Sequence, residues 1–151
     1  MNLRGVVIKM YVNYHVDMFC WPDFQKKVKY YWFDCKNIEE AVDTIIDKIK
    51  MNQKWNKLID DKLMYNVKYI PNVGYEIEKT SVISPFKEEL LDKINKSFDR
   101  QSKYIINDVK EPYVKLCCFE DDGVLKVSEE ENMYANIGIT ITCSVKEEKD
   151  D

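Results

Sequence analysis

The sequence predicts an α+β fold, a largely antiparallel sheet of about six or seven strands with two amphipathic helices on one face. Three observations carry this expectation. Strict alternation of apolar and polar residues recurs along the chain, two capped apolar stripes run at helical spacing, and the 151 residues are 45% hydrophobic, enough for one core. A single domain over residues 1–145 is expected, with the charged run 146–151 as a disordered tail.

The first strand is read from Val6, Ile8, Met10, Val12, Tyr14, Val16, Met18 and Cys20, whose even positions are apolar while most odd ones are polar. Such a run is longer than most strands, so a bulge, a bend or a projecting arm is expected in this first hairpin, with strand edges open to self-association. After a loop at Trp21-Pro22-Asp23-Phe24, the run Lys27–Phe33 alternates again and should pair back antiparallel. Here Val28, Tyr30 and Trp32 are assigned to the core, and Lys29, Tyr31 and Phe33 to the outer face.

Asn37 with Glu40 three residues on is a loose capping box, and Ile38, Val42, Ile45 and Ile49 form the stripe of the first helix. The stripe loses register beyond Lys50, where a break near Met51-Asn52 or a short second helix is expected. Met64–Ile70 and Tyr75–Ile83 read as strands joined by a turn at Pro71–Gly74. Ser84-Pro85 then opens the second long helix, with Ser84 as N-cap and Phe86, Leu90, Leu91, Ile94 and Phe98 as its stripe. The order hairpin, helix, hairpin, helix suggests a ββα-ββα-ββ pseudo-repeat, Val28–Lys50 aligning loosely with Tyr75–Phe98. Tyr104–Val109 fits either a continued helix or a loop. Strands follow at Tyr113–Phe119, Val124–Val127 and Tyr134–Val145, the first two joined by a turn at Asp121-Asp122-Gly123.

Several function classes are disfavoured. The chain has only two arginines, Arg4 and Arg100, and a net charge of −4, which argues against nucleic-acid binding. The lysine-rich, Ile- and Asn-rich composition points to an AT-rich source such as a low-GC bacterium or its phages. Gly5, Gly74, Gly123 and Gly138 are isolated, so no phosphate loop is formed and no cofactor is implied. Five cysteines lack a disulfide or zinc spacing and read as reduced, buried thiols. No apolar run reaches a membrane span and the first residues lack a signal-peptide core, so a cytoplasmic protein is expected, in the host cell if phage-encoded.

The candidate site is the outer sheet face. If the first, second and last strands are neighbours, Tyr11, Asn13, His15 and Asp17 lie beside Tyr31 and Phe33, with Asn136, Thr140 and Thr142 beyond. Aromatics among neutral hydrogen-bonding groups suit a protein-binding surface. Trp21 and Phe24 add two large aromatics in a loop, suited to anchoring a partner. His15 and Asp17 share a face, but no nucleophile or paired acid accompanies them, so no catalytic residue is assigned. The profile is that of a small acidic binding protein occupying a protein partner, as inhibitors, immunity proteins and phage counter-defence proteins do. The acidic groups around Glu39, Glu129 and Glu147 suit a basic partner. A protein that binds or sequesters a small, nucleotide-like ligand without catalysis, its pocket lined by Tyr11, Tyr14, Tyr31 and neighbouring aromatics, is the alternative.

Overall fold

The computed structural model describes residues 2–3, 6–23, 26–102, 111–129 and 135–148. Its elements follow the expected order. Two short strands, β1 (Asn2–Leu3) and β2 (Val6–Val7), pair with each other and precede β3 (Met10–Cys20) and β4 (Lys29–Cys35). Helices α1 (Ile38–Lys50) and α2 (Gln53–Asn56) follow, then β5 (Lys62–Ile70), β6 (Gly74–Ile83) and α3 (Pro85–Ser102). The chain closes with β7 (Tyr113–Asp121), β8 (Val124–Ser128) and β9 (Ile137–Glu147).

Five strands make one antiparallel sheet in the order β4-β3-β9-β7-β8, so β9 is central and the first long strand, β3, lies between the second and the last, as the composite face required. The inward residues are Val16, Met18 and Cys20 of β3, together with Ile137, Ile139 and Ile141 of β9 and Val114, Leu116 and Cys118 of β7. Ile45 and Ile49 of α1 and Leu90 and Ile94 of α3 cover them, burying the predicted stripes in one cluster. Lys87 on α3 ties the two helices together through Asp43 of α1 at 2.9 Å.

Local chemistry explains the boundaries. Asn37 caps α1, its side-chain oxygen accepting from the Glu40 amide at 2.8 Å. Asn52 caps α2 in the same way, so the break after Lys50 becomes a short helix that buries Trp55. Asp122 and Gly123 both take positive φ, 54° and 76°, as a two-residue hairpin turn demands. Ser84 stands just before α3, its carbonyl accepting from the Glu88 amide at 3.0 Å, and its hydroxyl donates to Asp61 Oδ1 at 2.5 Å.

The expected antiparallel strands divide between the five-stranded sheet and a separate two-stranded sheet, because β5 and β6 pair only with each other. Two expectations are corrected. The projecting arm is therefore the second hairpin; β3 is paired on both sides over residues 14–20 and leaves no edge open there. The charged C-terminal run begins as strand, since Lys146 and Glu147 pair with Tyr11 and Met10. Glu148 follows with its amide donating to the Lys9 carbonyl at 2.9 Å, and residues 149–151 of the predicted tail lie outside the described residues, as do Tyr104–Val109 and Tyr134. Among the described residues no helix is long and apolar enough to cross a membrane.

Cys20, Cys35 and Cys118 are buried, Cys117 and Cys143 are half-buried, and all five are free thiols. Burial pushes the Cys20 thiol up to about 11, which keeps it protonated and unreactive at neutral pH.

Candidate functional site

The two long helices occupy one face of the five-stranded sheet, and the opposite face carries the odd residues of β3. Cross-strand register fixes who shares it. His15 lies between Asp34 of β4 and Thr142 of β9, Asp17 between Trp32 and Thr140, and Phe19 between Tyr30 and Gly138. Directly opposed residues of an antiparallel pair project to the same side, so Tyr30, Trp32 and Asp34 belong to the outer face.

This reverses the assignment made for β4. Tyr31 and Phe33 pair with Met18 and Val16 and pack against the core on the helix side, whereas Tyr30 and Trp32 are 67% and 71% exposed. Tyr31 is further held by Lys48 of α1, whose ammonium sits 5.4 Å from the ring centroid. Tyr30 and Trp32, two of the exposed aromatics of the outer face, are the two that periodicity placed inside.

The polar residues form a connected cluster. Asn13 is only 6% exposed, and its amide nitrogen donates to Asp34 Oδ1 at 2.9 Å. The same oxygen lies 3.0 Å from His15 Nδ1, while His15 Nε2 faces Asp17 Oδ2 at 3.3 Å. Both ring nitrogens thus address carboxylates on opposite sides, an arrangement that favours the doubly protonated imidazolium and leaves no nitrogen directed at a substrate as a base. Nor do the carboxylates converge on a common point; among the described residues no His, Cys, Asp or Glu group is arranged to hold a metal ion.

The Asp34 hydrogen bond raises the His15 pKa above 6.5, partial burial opposes it, and the charges of Asp17 and Asp34 add to the rise. Hydrogen bonds from Asn13 and His15 hold the Asp34 carboxyl below its ordinary 3.8. A raised histidine stabilises the fold fully below 6.5 and ceases to do so as pH climbs through its folded value. A lowered carboxylate contributes above 3.8 and loses its effect as pH falls through its folded value. The cluster is therefore most stabilising between those two limits, by under about 1 kcal/mol because all three side chains are open to solvent screening. Since His15 is the sole histidine, its ring resonances titrate alone in proton NMR. The midpoint is expected above 6.5, and Asp34→Asn is expected to lower it; a midpoint indifferent to that substitution would contradict the contact.

Beside this cluster the face forms a trough of about 440 Å³. Trp32 and Tyr30 stand on one side, Lys115 and Cys117 on the other, with Asp17, Phe19 and Thr140 between them. The Phe19 ring lies across Gly138, where even a Cβ atom would come within 2.0 Å of it.

The remaining predicted residues are placed as follows. Tyr11 is exposed at the end of the face, opposite Lys146. Trp21 is half-buried and tied to the start of β9: its amide donates to the Asn136 carbonyl at 2.7 Å and its carbonyl accepts from the Asn136 side chain at 2.8 Å. Its indole N–H bonds the Lys26 carbonyl at 2.8 Å, so the ring shapes the loop that follows β3. Phe24 lies outside the described residues, as do Glu130 and Glu131. The residue missed altogether is Asp34, which binds both Asn13 and His15.

No protein-family model matches the chain, and no curated protein or solved structure is significantly similar to it.

Proposed function

We propose that the protein is a non-catalytic binding protein that occupies a protein partner through the uncovered sheet face, with Trp32 and Tyr30 as anchors and the Asn13–Asp34–His15–Asp17 cluster fixing orientation. One observation carries the reading: a tryptophan and a tyrosine stand side by side, about two-thirds exposed or more, on a face that the protein's own helices do not cover. Folding gains nothing from leaving such rings in water, whereas aromatic anchors dominate protein interfaces. Lys115 and Lys146 share the face with Asp17 and Asp34, so the contact is mixed in sign and a complementary partner surface is mixed likewise.

A second reading, binding of a small molecule, is favoured by the trough itself, whose mostly apolar lining, with Asp17 and Thr140 among it, suits a flat aromatic ligand. Affinity capture from a lysate of the source cells, with native mass spectrometry of the purified chain, separates the two. The wild type is expected to retain one protein stoichiometrically. Trp32→Ala should weaken that complex about 30-fold or more, as truncating a hot-spot residue does, without altering the fold. Equal retention by the variant overturns the proposal, and a bound small mass on the purified chain replaces it with the second reading.

A further inference from the structure

The arm formed by β5 and β6 contributes nothing to the core, which passes from Ile59 directly to Phe86. Its root is nevertheless fixed. Asp61 accepts from Lys50 at the end of α1 and from Ser84 at the start of α3, binding the two ends of the excursion together.

The arm is amphipathic. Its register pairs Leu63 with Val82, Tyr65 with Lys79, Val67 with Ile77 and Tyr69 with Tyr75, which places all of these on one face. The reverse face is mainly polar, pairing Asn66 with Glu78 and Lys68 with Glu76, with Met64 opposite Ser81 and Ile83 opposite Lys62 at the root. The sequence thus writes a half-buried hairpin, yet every apolar residue of the first set is at least 48% exposed. An isolated two-stranded hairpin is marginal in water and needs a covered apolar face to persist.

We propose that this face is covered by the same face of a second copy of the chain, two arms packing about a two-fold axis into a small two-layered sandwich. Area supports it. At roughly 100 Å² per side chain the apolar face offers about 700 Å² per copy, so a pair buries about 1,400 Å², within the range of stable interfaces. Composition supports it as well. Lys79 is the only charge on the face, and it lies toward the root. With the arms antiparallel and the axis through the Val67–Ile77 pair, each Lys79 meets the tilted Tyr69–Tyr75 ring pair near the tip of the other arm, a favourable seat for an ammonium. An isologous contact needs only this one self-complementary patch.

Charge is compatible. Lys62, Lys68 and Lys79 against Glu76 and Glu78 leave the arm at +1, so the rest of the chain carries −5 of the total −4. Nearly neutral arms meet without strong repulsion while the acidic bodies stay apart, and the polar reverse faces remain in water. The arm shares no residue with the sheet face, so the inference stands independently of the proposed partner.

Sedimentation equilibrium of the full chain, from about 1 to 100 μM protein, tests it, since specific interfaces fall within that range of affinity or tighter. The wild type is expected to approach twice the 18.0 kDa chain mass. Val67→Lys/Ile77→Lys should sediment as a monomer, its dissociation constant raised about 100-fold or more. Asn66→Lys on the reverse face, and Trp32→Ala on the sheet, should both remain dimeric. Hydrogen exchange adds a second readout: amides of residues 62–83 should become more protected as the wild type dimerises. A wild type that stays monomeric throughout, a dimer indifferent to the Val67/Ile77 change, or arm amides no better protected in the dimeric wild type than in the Val67→Lys/Ile77→Lys variant each overturns the inference.

Discussion

Alanine in place of Ile139 is expected to lower the unfolding free energy by about 2–5 kcal/mol, the range measured when a fully enclosed isoleucine or leucine is cut back. The argument is positional. Ile139 is 1% exposed and sits in β9, where Met18 flanks it from β3 and Leu116 from β7. The layer made by α1 and α3 closes the cluster above it. Its removal costs both transfer energy and the contacts around the void that remains. Against a total stability of about 5–15 kcal/mol, this is a large fraction from one residue. Val145, further along the same strand but exposed, provides the comparison: Val145→Ala should change stability by less than about 0.5 kcal/mol. Urea unfolding followed by circular dichroism measures both, with the midpoint moving and the slope unchanged for Ile139→Ala. A loss below about 1 kcal/mol would mean that β9 is not the centre of the packed layer.

Where one parity of a segment was apolar and the other polar, the sequence specified both the element and its inward face. β3 and β9 are such segments: Val16, Met18, Ile139 and Ile141 are inward as their alternation requires. The stripes of α1 and α3 are legible for the same reason, with a period set by helix geometry. In β4, by contrast, Tyr30, Tyr31, Trp32 and Phe33 make both parities aromatic, and alternation within that run cannot tell inside from outside. The distinguishing signal lies just past it. Asp34 has the parity of Tyr30 and Trp32, and Cys35 that of Tyr31 and Phe33, so an ionisable group marks the outer set and a small thiol the inner one. Carrying the alternation two residues further assigns both exposed rings to the outer face, together with the carboxylate that grips His15.

The arm was hidden by a different limit. Periodicity within 62–83 correctly indicates a hairpin with one apolar face, but a strand pattern carries no address for what covers that face. Leu63, Val67 and Ile77 look like sheet residues because they are sheet residues, and whether their cover is the protein's own helix layer or another chain is a long-range matter. The open strand edges expected of β3 are paired on both sides over residues 14–20, and the self-association proposed for β5 and β6 rests instead on their exposed apolar face.

Gly138 is the site where a substitution should act against the usual trend. A glycine inside a strand ordinarily weakens it, and alanine there stabilises by roughly 0.5–1 kcal/mol. The backbone at Gly138 is not in the left-handed region, so nothing in its conformation requires glycine. What requires it is the Phe19 ring: an added Cβ would stand 2.0 Å from Cε1 and 2.6 Å from Cζ. Gly138→Ala must therefore push the ring off β9, giving up its contacts, and is expected to destabilise by about 1–3 kcal/mol. In a Phe19→Ala background the obstruction is gone, and the same change should be neutral or stabilising. The double-mutant cycle should then show a coupling of about 1–3 kcal/mol between the two positions, with additivity as the outcome that would refute the contact. The ring that Gly138 admits is also part of the trough beside Trp32, so the cycle tests whether the glycine is retained for the shape of the exposed face. If it is, Gly138→Ala should weaken partner capture along with stability, and Phe19→Ala should weaken capture more than its effect on stability alone explains.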